Sequence, residues 1–117
     1  MIQLVYWSQT GITKRVAEKF GGIELSDYEN GPYVLMLPSY GSPRTGNYVP
    51  TAVKKHLAKH GDCLVGVIGV GNSNFGPDFC KGAWRVSRRF NVPLLLNIDM
   101  VPTTDQAIYI EHYLKGD

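Results

Sequence analysis

Apolar residues fall along this chain in short blocks with two kinds of spacing. Ile2–Trp7, Tyr33–Leu37, Cys63–Val70 and Leu94–Ile98 are nearly unbroken apolar runs, and Ile23–Ser26 is a shorter one. Runs of this length read as strands buried on both faces. Between them the apolar positions open out to helical intervals. Val16, Ala17 and Phe20 share a face within Thr13–Phe20, Val53 and Leu57 follow Pro50, and Phe79, Ala83, Val86 and Phe90 line one side of Asp78–Phe90. A last helix covers Thr103–Leu114, with Thr103 or Thr104 as its cap. Gly21-Gly22 and Gly61-Asp62 stop the first two helices, and Pro50 suits a first helical turn.

The order is β-α-β-β-α-β-α-β-α, with no internal repeat and no linker, so residues 1–117 are expected to form one domain. Strands apolar on both faces that alternate with helices predict an α/β fold, a doubly wound five-stranded parallel sheet with helices on both faces. In the strand order 2-1-3-4-5, a ligand sits outside the carboxyl ends of the strands, where the order reverses between the first and third. Three loops meet there: Ser8–Ile12, Ser39–Tyr48 and Gly71–Pro77. They are also the segments richest in glycine and polar residues.

Composition narrows the function. Hydrophobic residues make up 44% and charged residues 19% of 117 residues, enough for one core and unlike a disordered chain. The N-terminus enters an apolar strand with no basic leader or cleavage site, and no apolar run approaches the ~18 residues of a membrane span, so a cytoplasmic protein is expected, with no membrane partner. A net charge of +2, with cations scattered over several helices and no interleaved aromatic residues, argues against nucleic acid. One of those basic faces can still dock an acidic partner. Cys63 and Cys80 form no metal or redox motif and read as buried free thiols. The His56/His60 pair has ligand spacing, but it sits among Lys54, Lys55 and Lys59, which repel a cation; no metal site is expected.

The loop chemistry is more informative. Ser8-Gln9-Thr10-Gly11-Ile12-Thr13 leaves a strand and enters a helix. Backbone N–H groups converge in such a turn, the hydroxyls of Ser8, Thr10 and Thr13 can donate, and Gly11 permits close approach, so the loop is suited to a phosphate held by neutral donors. It is no Walker loop, because the lysine is missing and position 12 is Ile. Gly71-Asn72-Ser73-Asn74-Phe75-Gly76 supplies amides, free backbone groups and an aromatic, the mixture a flat heterocycle with an imide edge requires. Ser39-Tyr40-Gly41 and Gly46-Asn47-Tyr48 close the other side. Tyr40, Tyr48, Phe75 and Trp84 are the stacking candidates. A phosphoreceiver domain shares this topology, but Ser8-Gln9 and Pro38-Ser39 stand where its acidic residues belong. No acid, base or nucleophile set falls on these loops, so no catalytic residue is assigned.

Ser8-x-Thr10-Gly11-x-Thr13 resembles the FMN phosphate loop of flavodoxins. Leu37-Pro38-Ser39-Tyr40-Gly41, Gly46-Asn47-Tyr48-Val49-Pro50, Gly66–Gly76 and Val92-Pro93-Leu94-Leu95, in this order, resemble the NrdI family, the flavodoxin-like proteins that serve class Ib ribonucleotide reductase. The resemblance implies a flavodoxin-like fold with FMN bound non-covalently, its phosphate on Ser8, Gln9, Thr10, Gly11, Ile12 and Thr13. The ring would lie between Ser39, Tyr40, Gly41, Gly46, Asn47 and Tyr48 on one side and Gly71, Asn72, Asn74, Phe75 and Gly76 on the other. It further implies an unidentified flavin reductant, reaction of the reduced flavin with O2, and delivery of superoxide to the small, radical-bearing reductase subunit, where a dimanganese-tyrosyl radical cofactor is assembled. The alternative is a general flavodoxin-type electron carrier. Asp99 stands where the family commonly has Glu, and Pro102 where it commonly has Gly. Electron-carrying flavodoxins are also markedly acidic, and this chain is not; less negative charge around the ring disfavours a reduced, anionic flavin less.

Overall fold

Strands that are apolar on both faces must be covered on both faces, and that requirement organises the molecule. The computed structural model describes residues 1–41 and 46–116 and, of Phe75 and Pro77, the backbone alone. Strand β1 (Gln3–Tyr6) lies between β2 (Ile23–Glu24) and β3 (Tyr33–Pro38), and β4 (Leu64–Gly71) and β5 (Leu94–Asp99) continue beyond β3. All neighbours run parallel, in the order β2-β1-β3-β4-β5. The expected topology is therefore the observed one.

Alternation along each strand divides the core in two. Val5, Tyr33, Leu35, Leu37 and Val67 point to the side covered by α2 (Thr51–His60) and α3 (Lys81–Phe90), where they meet Val53, Leu57, Ala83 and Val86. Leu4, Val34, Met36, Ile68, Val70 and Ile98 point the other way, against Val16 and Ala17 of α1 (Ile12–Glu18) and Ile110 of α4 (Thr104–Lys115). Each fully buried Leu, Ile or Met contributes on the order of 1.5–3 kcal/mol relative to exposure. A one-residue slip in β3 would send Leu35 and Met36 to the wrong layers, so burial fixes the register.

Several boundaries differ from expectation, each for a local reason. The short second strand keeps only two paired residues, Val5 opposite Ile23 and Tyr6 opposite Glu24, and then tightens into a 3-10 turn over Leu25–Asp27. The helix expected from Asp78 begins at Lys81. Ahead of it, residues expected as irregular loop form a 3-10 helix over Ser73–Asp78, and Cys80 adopts a left-handed φ of 56°. The Cys80 backbone N–H donates to the Ser39 hydroxyl at 2.7 Å, a bond that holds the chain at this corner. Cys63 is half-buried, whereas Cys80 is buried as expected. At α4 the ambiguity resolves to Thr103. Its hydroxyl accepts the Gln106 N–H at 3.1 Å while the Gln106 side chain accepts the Thr103 N–H at 2.9 Å, a complete capping box. Among the described residues no helix is long and apolar enough to cross a membrane.

Candidate functional site

The carboxyl ends of β1, β3 and β4 open onto a cavity of about 310 Å³. Its walls come from the three segments that the topology brings together: Gln9, Thr10, Ile12 and Thr13 after β1, Pro38 and Ser39 at the end of β3, and Val70, Gly71 and Asn72 at the end of β4. Met100, just past β5, completes the rim. No lining residue carries a charge.

The first wall is shaped by Ser8 and Gly11. The Gly11 N–H donates to the Ser8 hydroxyl oxygen at 3.0 Å, and Gly11 takes a φ of 95°, a left-handed conformation that disfavours a side chain. Ser8 therefore holds the turn, and Thr10 and Thr13 are the hydroxyl residues that reach the cavity. Because Gly11 is the N-cap of α1 and gives no side-chain cap, the first amides of the helix have no side-chain partner at their cap. Thr13 is buried, whereas Gln9 and Thr10 are exposed.

The opposite wall depends on the contact between β3 and β4. An added Cβ at Gly71 would run into the Ser39 hydroxyl and come within 3.2 Å of the Phe79 ring. Glycine at position 71 is what lets the two strand ends approach. Ser39 is then fixed by its bond from the Cys80 N–H. Burial pushes the Cys80 thiol up to about 11, and a side-chain hydrogen bond with Ser39 acts in the other direction. Asn72 accepts the Asn74 N–H at 2.9 Å and so turns the chain into the 3-10 helix. That helix is clasped to β5 by Asp99, whose carboxyl is held below its ordinary value by hydrogen bonds from Ser73. Met100 donates its N–H to the Gly71 carbonyl at 2.7 Å and adopts a φ of 65°.

Of the residues singled out in the sequence, Gln9, Thr10, Ile12, Thr13, Ser39, Gly71 and Asn72 come together around this cavity. The others lie beside or behind it. The Tyr40 ring meets Trp7 edge-on at 5.7 Å. Gly41 packs against the Asn47 backbone, and Asn47 takes a hydrogen bond from Lys54 at 3.0 Å. Tyr48 is buried: its hydroxyl donates to Asp78 at 3.2 Å, and Lys81 and Arg85 each stand 4.7 Å from its ring centre. That ring is committed to α3. Gly46 accepts from Arg85, and Gly76 takes a positive φ of 63° inside the 3-10 turn with Asn74. Trp84 is exposed on α3 beneath Arg88. Residues 42–45 of the expected second loop, and the side chain of Phe75, lie outside the described residues.

Pro38, Val70 and Met100 were not foreseen as lining residues. The sequence ends the third strand at Leu37 and the fourth at Val70, whereas β3 runs on to Pro38 and β4 to Gly71, which carries both residues to the cavity wall. Met100 had a usable signal: it directly follows the fifth strand, whose carboxyl end abuts Gly71 through the Gly71–Asp99 register. Among the described residues there is no cluster of three His, Cys, Asp or Glu able to hold a metal.

The donor set suits a flavin mononucleotide. Neutral hydroxyls and uncapped amides lie on one wall, and an amide side chain with backbone groups lies on the other, where a side chain at position 71 would collide with Ser39. The fold has a solved counterpart in a short-chain flavodoxin associated with a bacterial microcompartment, with a TM-score of 0.71 at 17% identity over 98% of this chain and 94% of that one. Residues 4–111 match the family described as NrdI flavodoxin like. A protein NrdI of Mycobacterium sp. (strain KMS) is 35% identical over 99% of this chain and 90% of its own length. Those of Mycobacterium leprae and Enterobacter sp. (strain 638) are 36% and 35% identical over 89% and 99% of this chain, and over 86% and 91% of theirs. The chain thus belongs to the NrdI flavodoxin-like family, whose cofactor is FMN.

Proposed function

We propose that this chain, one flavin-binding domain over residues 1–117, is the cytoplasmic activator of a class Ib ribonucleotide reductase. Membership in the NrdI family ties it to that enzyme. The observation that carries the reading is the charge-free cavity in which Thr10 and Thr13 share walls with Ser39, Gly71 and Asn72. In this reading the Gln9–Thr13 amides and hydroxyls hold the phosphate, with Ser8 and Gly11 shaping the turn behind them. Ser39, Gly71 and Asn72 address the ring edge, and Tyr40, Gly41 and the Asn74–Gly76 segment flank it. The bound flavin supplies reduction of O2 to superoxide, the oxidant for assembling the dimanganese-tyrosyl radical cofactor of the small subunit. The protein's share is to bind, orient and dock.

The test combines an absorption spectrum of the FMN-loaded protein with radical yield in the small subunit, read by electron paramagnetic resonance. The expected result is a flavin spectrum, a complex with the subunit, and radical only when reduced protein and O2 are both present. Equal radical yield without the protein overturns the reading. Turnover with a flavodoxin reductase, with no affinity for the subunit, replaces it with a general electron carrier.

A further inference from the structure

Charge is distributed very unevenly over the two faces of the sheet. Helix α2 carries Lys54, Lys55 and Lys59 and no acid. Helix α3 carries Lys81, Arg85, Arg88 and Arg89, also without an acid. Both helices cover the same side of the sheet. Seven of the chain's 12 Lys and Arg therefore sit on these two helices, which hold none of its 10 Asp and Glu; Asp78, just ahead of α3, is the acid nearest to them in this part of the chain. A net charge of +2 conceals that dipole.

Between α2 and α3 runs a groove of about 480 Å³. Its floor is closed by the buried Val49, Leu57 and Val86, Ala58 and part of Phe90 are its accessible apolar residues, and its charged residues are Lys54, Arg85 and Arg89. Among the described residues none of these three is paired with a carboxylate; the ion pair on this layer is Lys81 with Asp78 at 3.9 Å. Two of the three are held in position by neutral acceptors, Lys54 by Asn47 at 3.0 Å and Arg85 by the Gly46 carbonyl at 3.3 Å. An apolar channel bordered by positioned, uncompensated cations suits a ligand that brings both apolar groups and negative charge.

We propose that the α2–α3 groove is a docking site for an acidic, amphipathic segment of a partner protein, with its apolar side chains on Ala58 and the exposed part of Phe90 and its Asp or Glu residues on Lys54, Arg85 and Arg89. The surface shape favours this occupant over other polyanions. A nucleic-acid backbone has no apolar group to bury on this floor. Helices of ten residues run about 15 Å, the length of a short bound helix or of four to five extended residues. Complementary charge of this kind acts mainly by steering encounter and fixing register. The site lies on the α2–α3 layer, away from the cavity at the strand ends, and stands whether or not the chain serves a reductase.

The experiment selects binders to the full-length, FMN-loaded chain from a displayed library of random peptides of about 12 residues. The expected winners place Asp or Glu among apolar anchors, bind in the micromolar range, and weaken at least about tenfold when their acids become Gln or Asn. They also weaken about tenfold against Arg89→Glu/Ala58→Glu, a variant whose thermal melting and FMN affinity stay within error of the unsubstituted protein. Winners without acids, or acidic winners that bind this variant unchanged, overturn the proposal. So does a DNA duplex or an anionic phosphatidylserine vesicle that binds the groove more tightly than the peptides and is lost in the same variant. Flavin binding and radical yield are not read in this experiment, so its failure is separable from failure of the proposed function.

Discussion

The carboxylate of Asp99 accepts two hydrogen bonds from Ser73, one from the hydroxyl at 2.7 Å and one from the backbone N–H at 3.2 Å. They join the end of β5 to the first residue of the 3-10 helix that follows β4, across the rim of the cavity. Both bonds favour the charged carboxylate and hold it below its ordinary 3.8. A carboxyl with a lowered folded-state pKa stabilises the fold above its unfolded value, and the contribution disappears as pH falls through the folded one. Asp99→Asn is therefore expected to lower the urea midpoint at about pH 6, with the gap to the unsubstituted protein narrowing as pH falls below 3.8. A midpoint gap that persists unchanged below that pH would show that Asp99 acts through something other than its charge.

Thr10 reaches the cavity from the turn that Ser8 and Gly11 hold. Thr10→Ala is expected to weaken FMN by about 1–3 kcal/mol, the cost of leaving a polar partner unsatisfied. Riboflavin, which lacks the phosphate, is expected to bind the variant as before. Flavin fluorescence titrations with the two ligands measure both affinities. An unchanged FMN dissociation constant would move the phosphate elsewhere.

Gly71 has the opposite signature. A β-branched side chain there collides with Ser39 and crowds Phe79, and forcing it in costs about 1–3 kcal/mol of overpacking. Gly71→Val is expected to weaken riboflavin and FMN equally, because the distortion lies on the ring wall. A loss confined to FMN would place the phosphate against Gly71.

Cys80 and Cys63 are expected to separate in a labelling experiment. The thiolate is the reactive form, and burial pushes Cys80 up to about 11 while it lies enclosed beside Gly69 and Ser39. Iodoacetamide at about pH 8 is expected to modify Cys63 alone in the folded protein, and both cysteines in urea. Peptide mass spectrometry identifies the site. Rapid native modification of Cys80 would mean that the β4–α3 corner opens.

The layer structure was legible in the sequence because it depends on periodicity. Val34 and Leu35 had to lie in opposite cores wherever the strand ended, and the doubly wound order 2-1-3-4-5 expected for alternating strands and helices is the one observed. The cavity was legible to the same extent, since the strand ends are fixed by topology. The roles within the loops were not. Ser8, Thr10 and Thr13 are equivalent as hydroxyls in a sequence, and only the bond from Gly11 to Ser8 separates the one that shapes the turn from the two that line the cavity. Tyr48 looked like a ring available for stacking, but its pairing with Asp78, Lys81 and Arg85 is a contact across about 30 positions that no local pattern records. The helical reading of Asp78–Phe90 failed at its start for the same reason: the Ser39–Cys80 bond is long-range.

His56 gives the clearest pH-dependent expectation for the fold. Its ring is wedged among Tyr28, Tyr33 and His60, with ring centres 5.0 to 5.3 Å away, and its Nε2 is buried with no hydrogen-bond partner among the described residues. Lys55, Lys59 and Glu24 line the same recess. Burial first, and the neighbouring His60 second, lower the His56 pKa below 6.5. The folded protein thus resists a proton that the unfolded chain accepts. Stability associated with His56 is complete above 6.5 and declines as pH falls from there toward the lowered folded value. His56→Phe keeps an aromatic ring in the cluster and breaks no bond at Nε2. The variant is expected to melt close to the unsubstituted protein at about pH 8 and above it at about pH 5, with the difference growing between the two. Calorimetric melting across that range measures it. A difference that is flat with pH would show that His56 binds its proton equally in the folded and unfolded chain, and would overturn this reading.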